Sequence, residues 1–325
     1  MYKISVIIPV FNEEENIDHL VNELNNYFRK EQAFATEIIF VNDGSSDKTL
    51  FKLKHAFHKS YEHKIISFSR NFGSHAALRA GILKAEGDLI TFMYADLQDP
   101  LNLVTALYNE IITKEVDIAW AYRSSTQAGK SEKFFSTAYA SLMRKFAVPG
   151  FPVKGFDIVM FSRKVKVCLD HNIENNSSVF IQILNLGFKQ TGITYHKRER
   201  LKGESKWTFS RKLKLFIDSF VAFSFAPIRL VSIVGIVFFI LGVMWTTYII
   251  LRTLILNDLA SGWPALMSVL MIGFGITNIS LGILAEYLWR TLDVSRKRPV
   301  FVIDEIIDDS IELREKKISF QQAEA

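Results

Sequence analysis

The sequence predicts an α/β domain built on a mainly parallel sheet, followed by an interfacial amphipathic segment and two transmembrane helices. Three observations carry that expectation. Over about the first 200 residues, continuous β-branched runs alternate with helical patterns, the signature of a sheet covered on both faces. Two later stretches are apolar over the length needed to cross a bilayer. Basic residues flank that pair of stretches on its outer sides.

Taken in order, residues 4–9 read as a strand and 14–29 as an amphipathic helix. Residues 37–41 are a second strand and 48–58 a second helix. Residues 65–69, 88–93 and 117–121 are further strands, with helices over 74–84 and 101–113 between them. The polar clusters fall after the strands, where ligands bind in such sheets. Residues 228–251 then carry one charge, Arg229, near their start, and 264–288 carry one, Glu286, near their end. The alternative, two buried core helices, fits less well, since those are usually shorter and more amphipathic. Arg211, Lys212, Lys214 and Arg229 precede the first span or open it, and Arg290, Arg296, Lys297 and Arg298 follow the second. That bias places both ends of the pair in the cytoplasm. Between the domains, Phe209, Leu213, Phe216 and Phe220 recur at helical spacing with basic residues on other faces, which suits a helix in the membrane interface or one packed on the globular domain. The expected organisation is a cytoplasmic domain over 1–200, a basic juxtamembrane segment over 201–227, a two-helix membrane domain over 228–290 and a charged tail over 291–325 with no assigned role.

Composition narrows the function classes. Hydrophobic residues make up 49% of 325, more than a soluble enzyme needs and less than a polytopic transporter. Eight Lys and Arg residues fall between His196 and Lys214 against Glu199 and Glu204, a cluster that suits anionic lipid or a phosphate-bearing ligand. Nucleic acid is not an expected partner, because no recognition helix or aromatic–basic RNA motif accompanies the charge. The lone cysteine, Cys168, cannot form an internal disulfide, and no Cys/His metal spacing occurs. The N-terminus lacks a signal-peptide pattern, so the first domain is expected to stay in the cytoplasm.

Four motifs carry the chemistry. Pro9-Val10-Phe11-Asn12-Glu13 runs from a strand into a polar turn, and Asn42-Asp43-Gly44-Ser45-Ser46-Asp47 does the same. Such acids can receive a base N–H or ribose hydroxyls, or simply form the turn; Asp47 reads as a helix cap. Arg70, in Ser69-Arg70-Asn71-Phe72-Gly73, suits a diphosphate or a surface ion pair. His75 and the other histidines read as surface or satisfied residues. The fourth motif is Tyr94-Ala95-Asp96-Leu97-Gln98-Asp99-Pro100.

With these motifs in this order, and with Gly203-Glu204-Ser205-Lys206 and Gly282-Ile283-Leu284-Ala285-Glu286-Tyr287 beyond them, nearly the whole chain resembles the family 2 glycosyltransferases. The likeness is to their polyprenyl-phosphate branch, typified by dolichyl-phosphate mannose synthases and bactoprenol glucosyltransferases. The resemblance implies a GT-A nucleotide-sugar-binding domain, inverting transfer, a Mg²⁺ or Mn²⁺ ion, and a multi-pass location in the inner membrane. It implies a nucleotide-sugar donor, with UDP-sugar expected from the bacterial branch, and a polyprenyl phosphate acceptor among membrane lipids, with undecaprenyl phosphate expected. Homo-oligomers are common among such relatives. Pro9, Phe11, Asn12, Glu13, Asp43, Arg70 and Asp96 match donor-site positions, with Asp43 beside the nucleobase. Asp96 and Gln98 match metal and diphosphate positions, and Asp157 matches the acid often assigned as catalytic base. Arg123, Lys133, Arg200, Ser205 and Lys206 match the region facing the lipid phosphate.

Two departures stand out. Tyr94 occupies a position usually held by Asp, and a phenol is a poor ligand for a hard cation. Val159 stands where the family often has Arg. These departures motivate a second reading, a nucleotide-sugar-binding membrane protein without turnover. A processive polysaccharide synthase fits less well, since no Gln-x-x-Arg-Trp occurs.

Overall fold

In the computed structural model of the chain, residues 1–56, 60–124, 137, 140–141, 143–145, 151–152, 158–171, 178–197, 226–256, 262–296 and 299–308 are described. The chain divides into two units, Met1–Ser219 with Pro299–Ala325, and Phe220–Arg298.

The first unit opens with β1 (Lys3–Val10), in which every residue from Ile4 to Ile8 is buried. A strand buried on both faces needs an unbroken apolar run rather than alternation. Helix α1 (Ile17–Phe28) buries Ile17, Leu20, Val21, Leu24 and Phe28, a stripe at steps of three and four that packs on one face of the sheet. There follow β2 (Ala35–Asn42), α2 (Thr49–His55), β3 (Glu62–Phe68), α3 (Ser74–Lys84), β4 (Leu89–Phe92), α4 (Asn102–Lys114) and β5 (Ile118–Arg123). These match the expected elements within a few residues. The chain continues with β6 (Ile158–Ser162), α5 (Arg163–His171), α6 (Val179–Asn185) and β7 (Gln190–Tyr195).

The sheet has eight strands in the order β7-β5-β6-β4-β1-β2-β3, closed by a last strand, β8 (Ile303–Asp308). β1 pairs in parallel with β2 and β4, β2 with β3, and β5 with β7. β6 runs antiparallel between β4 and β5, and β8 antiparallel beside β3. The fold is therefore α/β on a mixed, mostly parallel sheet. Six strands, β1 to β5 and β7, end at one edge. At that edge the strand order reverses beside β1, which has β2 on one flank and β4 on the other. Such a reversal leaves a crevice beyond the strand ends.

β8 gives residues 303–308 a structural role that the sequence reading did not foresee. The strand is bound by its ladder with β3, by Lys54–Glu305 and Lys64–Asp308 ion pairs, and by Phe301, whose ring stacks on Phe68 at 5.1 Å.

The second unit contains α7 (Ala226–Leu256) and α8 (Trp263–Ser295). Many of their large apolar side chains face outward, Ile233, Phe274 and Leu288 among them. In α8 the hydroxyls of Thr277, Ser280 and Thr291 each donate to the carbonyl four residues earlier, which satisfies them without water. Among the described residues one helix is long and apolar enough to cross a membrane, over Ile272–Trp289, and none of that stretch is buried in the chain; α7 holds a shorter apolar stretch, Ile233–Gly242. The expected interfacial helix lies outside the described residues.

Candidate functional site

The loops that follow β1 and β2 are fastened to each other. The Asn12 amide donates to Ser45 Oγ, and Asn12 Oδ1 accepts from the Ser46 N–H at 2.9 Å. Asn12 holds φ +51°, a left-handed conformation that asparagine tolerates better than most residues. Glu13 N–H donates to Thr49 Oγ1, and Glu14 Oε2 accepts from Lys48 N–H. Asp47 accepts from the N–H of Thr49, the first residue of α2, and from that of Glu14. Lys48, not Asp47, is the cap residue of α2; Asp47 binds the first amide of the helix from one position earlier and joins the two loops.

The loop after β3 is pinned by Asp43. Its two carboxylate oxygens accept the N–H groups of Phe72 at 2.7 Å and Gly73 at 2.9 Å. Burial pushes the Asp43 carboxyl above its ordinary value, and those two hydrogen bonds offset only part of that. Gly44, at φ +63°, lies so close to this loop that a Cβ would come within 2.3 Å of the Arg70 carbonyl carbon. Only glycine fits both the turn and the approach. The Arg70 guanidinium lies 4.3 Å from the Phe72 ring centroid, a cation–π arrangement. Among the described residues no carboxylate pairs with it, so the surface ion pair considered above is not what holds it.

Next, at the start of α3, His75 departs from expectation. It is half-buried, its Nδ1 is shielded from solvent without a hydrogen-bond partner, and burial, then the Arg79 charge, holds its pKa down to about 4.

After β4, burial alternates. Tyr94, Asp96 and Gln98 are half-buried, while Ala95, Leu97 and Asp99 are buried between them. The chain turns tightly here, with Leu97 N–H donating to the Tyr94 carbonyl and Leu97 at φ +50°. A left-handed bulky residue is strained backbone, which accumulates at functional sites. Asp96 Oδ1 accepts from Gln98 N–H at 3.3 Å. Asp99 faces inward, where Tyr195 Oη donates to one oxygen and Lys197 Nζ lies 3.3 Å from the other. Lys197 Nζ is also 6.0 Å from the Tyr94 ring centroid. Asp99 and Tyr195 were not singled out in the sequence, and Lys197 was counted only within a basic cluster. A partnership spanning 96 residues leaves no local signal.

Arg123 ends β5 at the same edge, paired in register with Tyr195. Val159 is fully buried in β6, where its carbonyl accepts from Thr91 Oγ1, and burial there favours an apolar side chain. Asp157, Lys133, Arg200, Ser205 and Lys206 lie outside the described residues; Ile158 opens β6 at the edge where the other loops gather. The structure thus brings the turns around Phe11–Glu13, Asn42–Asp47, Arg70–Gly73 and Tyr94–Asp99 to one sheet edge.

As for a metal, no three His, Cys, Asp or Glu side chains form a ready cluster among the described residues. One carboxylate, Asp96, whose Oδ1 accepts the Gln98 backbone N–H, fits an ion such as Mg²⁺, which commonly takes one or two carboxylates and fills its shell with water and substrate phosphates.

Comparison with known proteins follows this geometry. The Glycosyl transferase family 2 model matches residues 5–169. An uncharacterised glycosyltransferase of Synechocystis is 30% identical over 305 residues, covering 94% of this chain and 95% of that protein. A prophage bactoprenol glucosyl transferase homolog of Escherichia coli is 30% identical, covering 94% and 99%. The undecaprenyl-phosphate 4-deoxy-4-formamido-L-arabinose transferase of Proteus mirabilis is 30% identical, covering 94% of each. Among solved structures, a mannosyltransferase from Pyrobaculum calidifontis in complex with GDP-Man and Mn²⁺ aligns at 16% identity and a TM-score of 0.43, over 62% of this chain and 58% of that one, too slight a likeness to build on.

Proposed function

The chain belongs to glycosyl transferase family 2, and on that premise we propose that it transfers a sugar from a nucleotide donor to a polyprenyl phosphate at the cytoplasmic face of a membrane. The observation that supports this reading is the alternation of burial after β4, which leaves Tyr94, Asp96 and Gln98 each half-exposed beside the point of strand reversal. The names of the full-length relatives above supply the acceptor class.

An oxygen of the acceptor phosphate attacks the anomeric carbon, a new C–O bond forms with inversion, and the bond to the nucleoside diphosphate breaks. A phosphate monoester is largely ionised near neutral pH, with a second pKa of about 6, so little proton removal is required. Asp157 then serves to orient the acceptor or to stabilise positive charge on the sugar. The larger demand is the charge gathering on the departing diphosphate, which Arg70 would meet from the loop after β3. A divalent ion held by Asp96 and Gln98 would add positive charge there. Pro9, Phe11, Asn12, Glu13 and Asp43 would border the nucleoside, with UDP as the expected carrier. Arg123, Lys133, Arg200, Ser205 and Lys206 would receive the acceptor phosphate, undecaprenyl phosphate being the expected lipid. Alignment of donor and acceptor supplies much of the remaining acceleration.

We read α7 and α8 as two membrane crossings with both outer ends in the cytoplasm. The return of the chain to β8 supports an even number of crossings, because residues on both sides of the helical unit lie in one sheet.

The test is transfer by the full chain in lipid, given Mg²⁺ or Mn²⁺, a panel of labelled nucleotide-sugars and undecaprenyl phosphate, and read by the mass of the lipid product. Asp96→Ala is expected to abolish product. Donor binding with no transfer across the panel would favour the non-catalytic reading, which the phenol at position 94 motivates.

A further inference from the structure

Residues that follow α8 in the chain reach the candidate donor loop through a row of aromatic rings. Phe301 follows α8 in the chain and precedes β8. Its ring lies parallel to that of Phe68, 5.1 Å away and 9° from coplanar. Phe68, at the end of β3, is buried and meets Phe72 edge-on at 5.7 Å. Phe72 in turn carries the Arg70 guanidinium on its face at 4.3 Å. The backbone beneath this row is also held: Ser69 N–H donates to the Val302 carbonyl, and Asp43 fixes the Phe72 and Gly73 amides.

We infer that Phe301 is a positioning residue for Arg70, so that the segment returning from the helical unit sets the affinity of the site for the diphosphate of the donor. Resting on the donor role proposed above for Arg70, the inference adds where the order of that side chain comes from. Arg70 is exposed, and an exposed arginine samples many rotamers unless something holds it. Phe72 provides a face, but a ring itself needs a wall. Phe68 is that wall, and Phe301 closes the outer side of Phe68 at the sheet edge. A guanidinium kept in place before the ligand arrives loses less freedom when it binds, which appears as tighter binding. Phe301 touches no ligand in this scheme and acts through three side chains. The arrangement also explains why a strand so distant in the sequence belongs to the nucleotide-binding sheet: without β8, Phe68 would stand at an open edge.

The experiment measures binding of UDP and of GDP with Mg²⁺ by calorimetry, using the full chain in lipid nanodiscs. Phe301→Ala is expected to weaken binding of the preferred nucleotide roughly fivefold or more, in line with lost preorganisation. Phe301→Tyr, which keeps the ring, is expected to bind as the parent does; Phe301→Leu, which keeps apolar bulk without the stack, is expected to resemble the alanine variant. In an Arg70→Ala background, Phe301→Ala should cause no further loss, the mark of two residues acting through one contact. Equal binding by Phe301→Leu and the parent, or independent losses in the double variant, would overturn the inference while leaving the donor site intact. A folded parent chain that binds neither nucleotide would instead overturn the donor reading, and this inference with it.

Discussion

Tyr94 is one of the two positions at which the resemblance implies a different residue, here Asp. The phenol is half-exposed, as are Asp96 and Gln98, and the Lys197 ammonium lies 6.0 Å from its ring centroid. A carboxylate here would add a hard oxygen ligand beside Asp96. Tyr94→Asp is therefore expected to lower the Mn²⁺ concentration at half-saturation, on the order of tenfold for one added carboxylate. Calorimetric titration of Mn²⁺ in the presence of UDP checks this directly, and an unchanged midpoint would show that position 94 does not face the ion. At this scale the motifs were readable where they are local. Asp47 satisfies the first amide of α2, as its place ahead of a helix implied. Asp96 and Gln98 are both half-exposed after β4, where the sequence placed its polar motif. His75 was misread, because burial at the start of α3 depends on neighbours that sequence spacing does not reveal.

At the scale of elements, β1 to β5 were legible because strands buried on both faces are written as unbroken β-branched runs. β8 was not. Its residues, Ile303-Asp304-Glu305-Ile306-Ile307-Asp308, include three acids, which in isolation read as a solvated tail. What places the strand is long-range charge. Lys64, in β3, is almost wholly buried and lies 3.0 Å from Glu37 Oε1, 2.7 Å from Glu86 and 3.5 Å from Asp308 of β8. Burial alone would lower the Lys64 pKa, but Glu86 and Glu37, with Asp308 beyond them, raise it. Glu37 is as deeply buried and accepts from Ser5 Oγ and the Glu86 N–H. This network sits where β1, β2 and β3 begin, at the edge opposite the candidate site. Lys64→Met leaves the buried Glu37 carboxylate with only the more distant Lys3, 3.9 Å away, as an ion-pair partner, and is expected to cost about 3 kcal/mol of stability. Thermal unfolding of the solubilised chain measures the loss. Adding Glu37→Gln to Lys64→Met should restore part of it, since a neutral amide removes the stranded charge.

For the molecule as a whole, the return of the chain to the sheet bears on the membrane topology proposed above. Among the described residues α8 alone is long and apolar enough to cross a membrane, and a single crossing would set β8 on the opposite side of the bilayer from β3. That cannot be reconciled with a strand hydrogen-bonded to β3 in register from Lys64 to Ser67. The two crossings proposed for α7 and α8 keep β8 on the side of β3, and the outward-facing apolar side chains of both helices support that proposal. On the same proposal the basic residues outside the pair set the direction. Cysteine chemistry tests this with one substitution at a time, because Cys168 is the only native thiol and Cys168→Ser clears the background. In that background Ser261→Cys, between the helices, is expected to react with a membrane-impermeant maleimide added outside intact spheroplasts. Asp304→Cys, on β8, and Ser46→Cys, in the loop after β2, are expected to react only once the membrane is opened. If Asp304→Cys were labelled from outside while Ser46→Cys stayed protected, the two would lie on opposite sides of the bilayer, and the pairing of β8 with β3 could not exist in the cell.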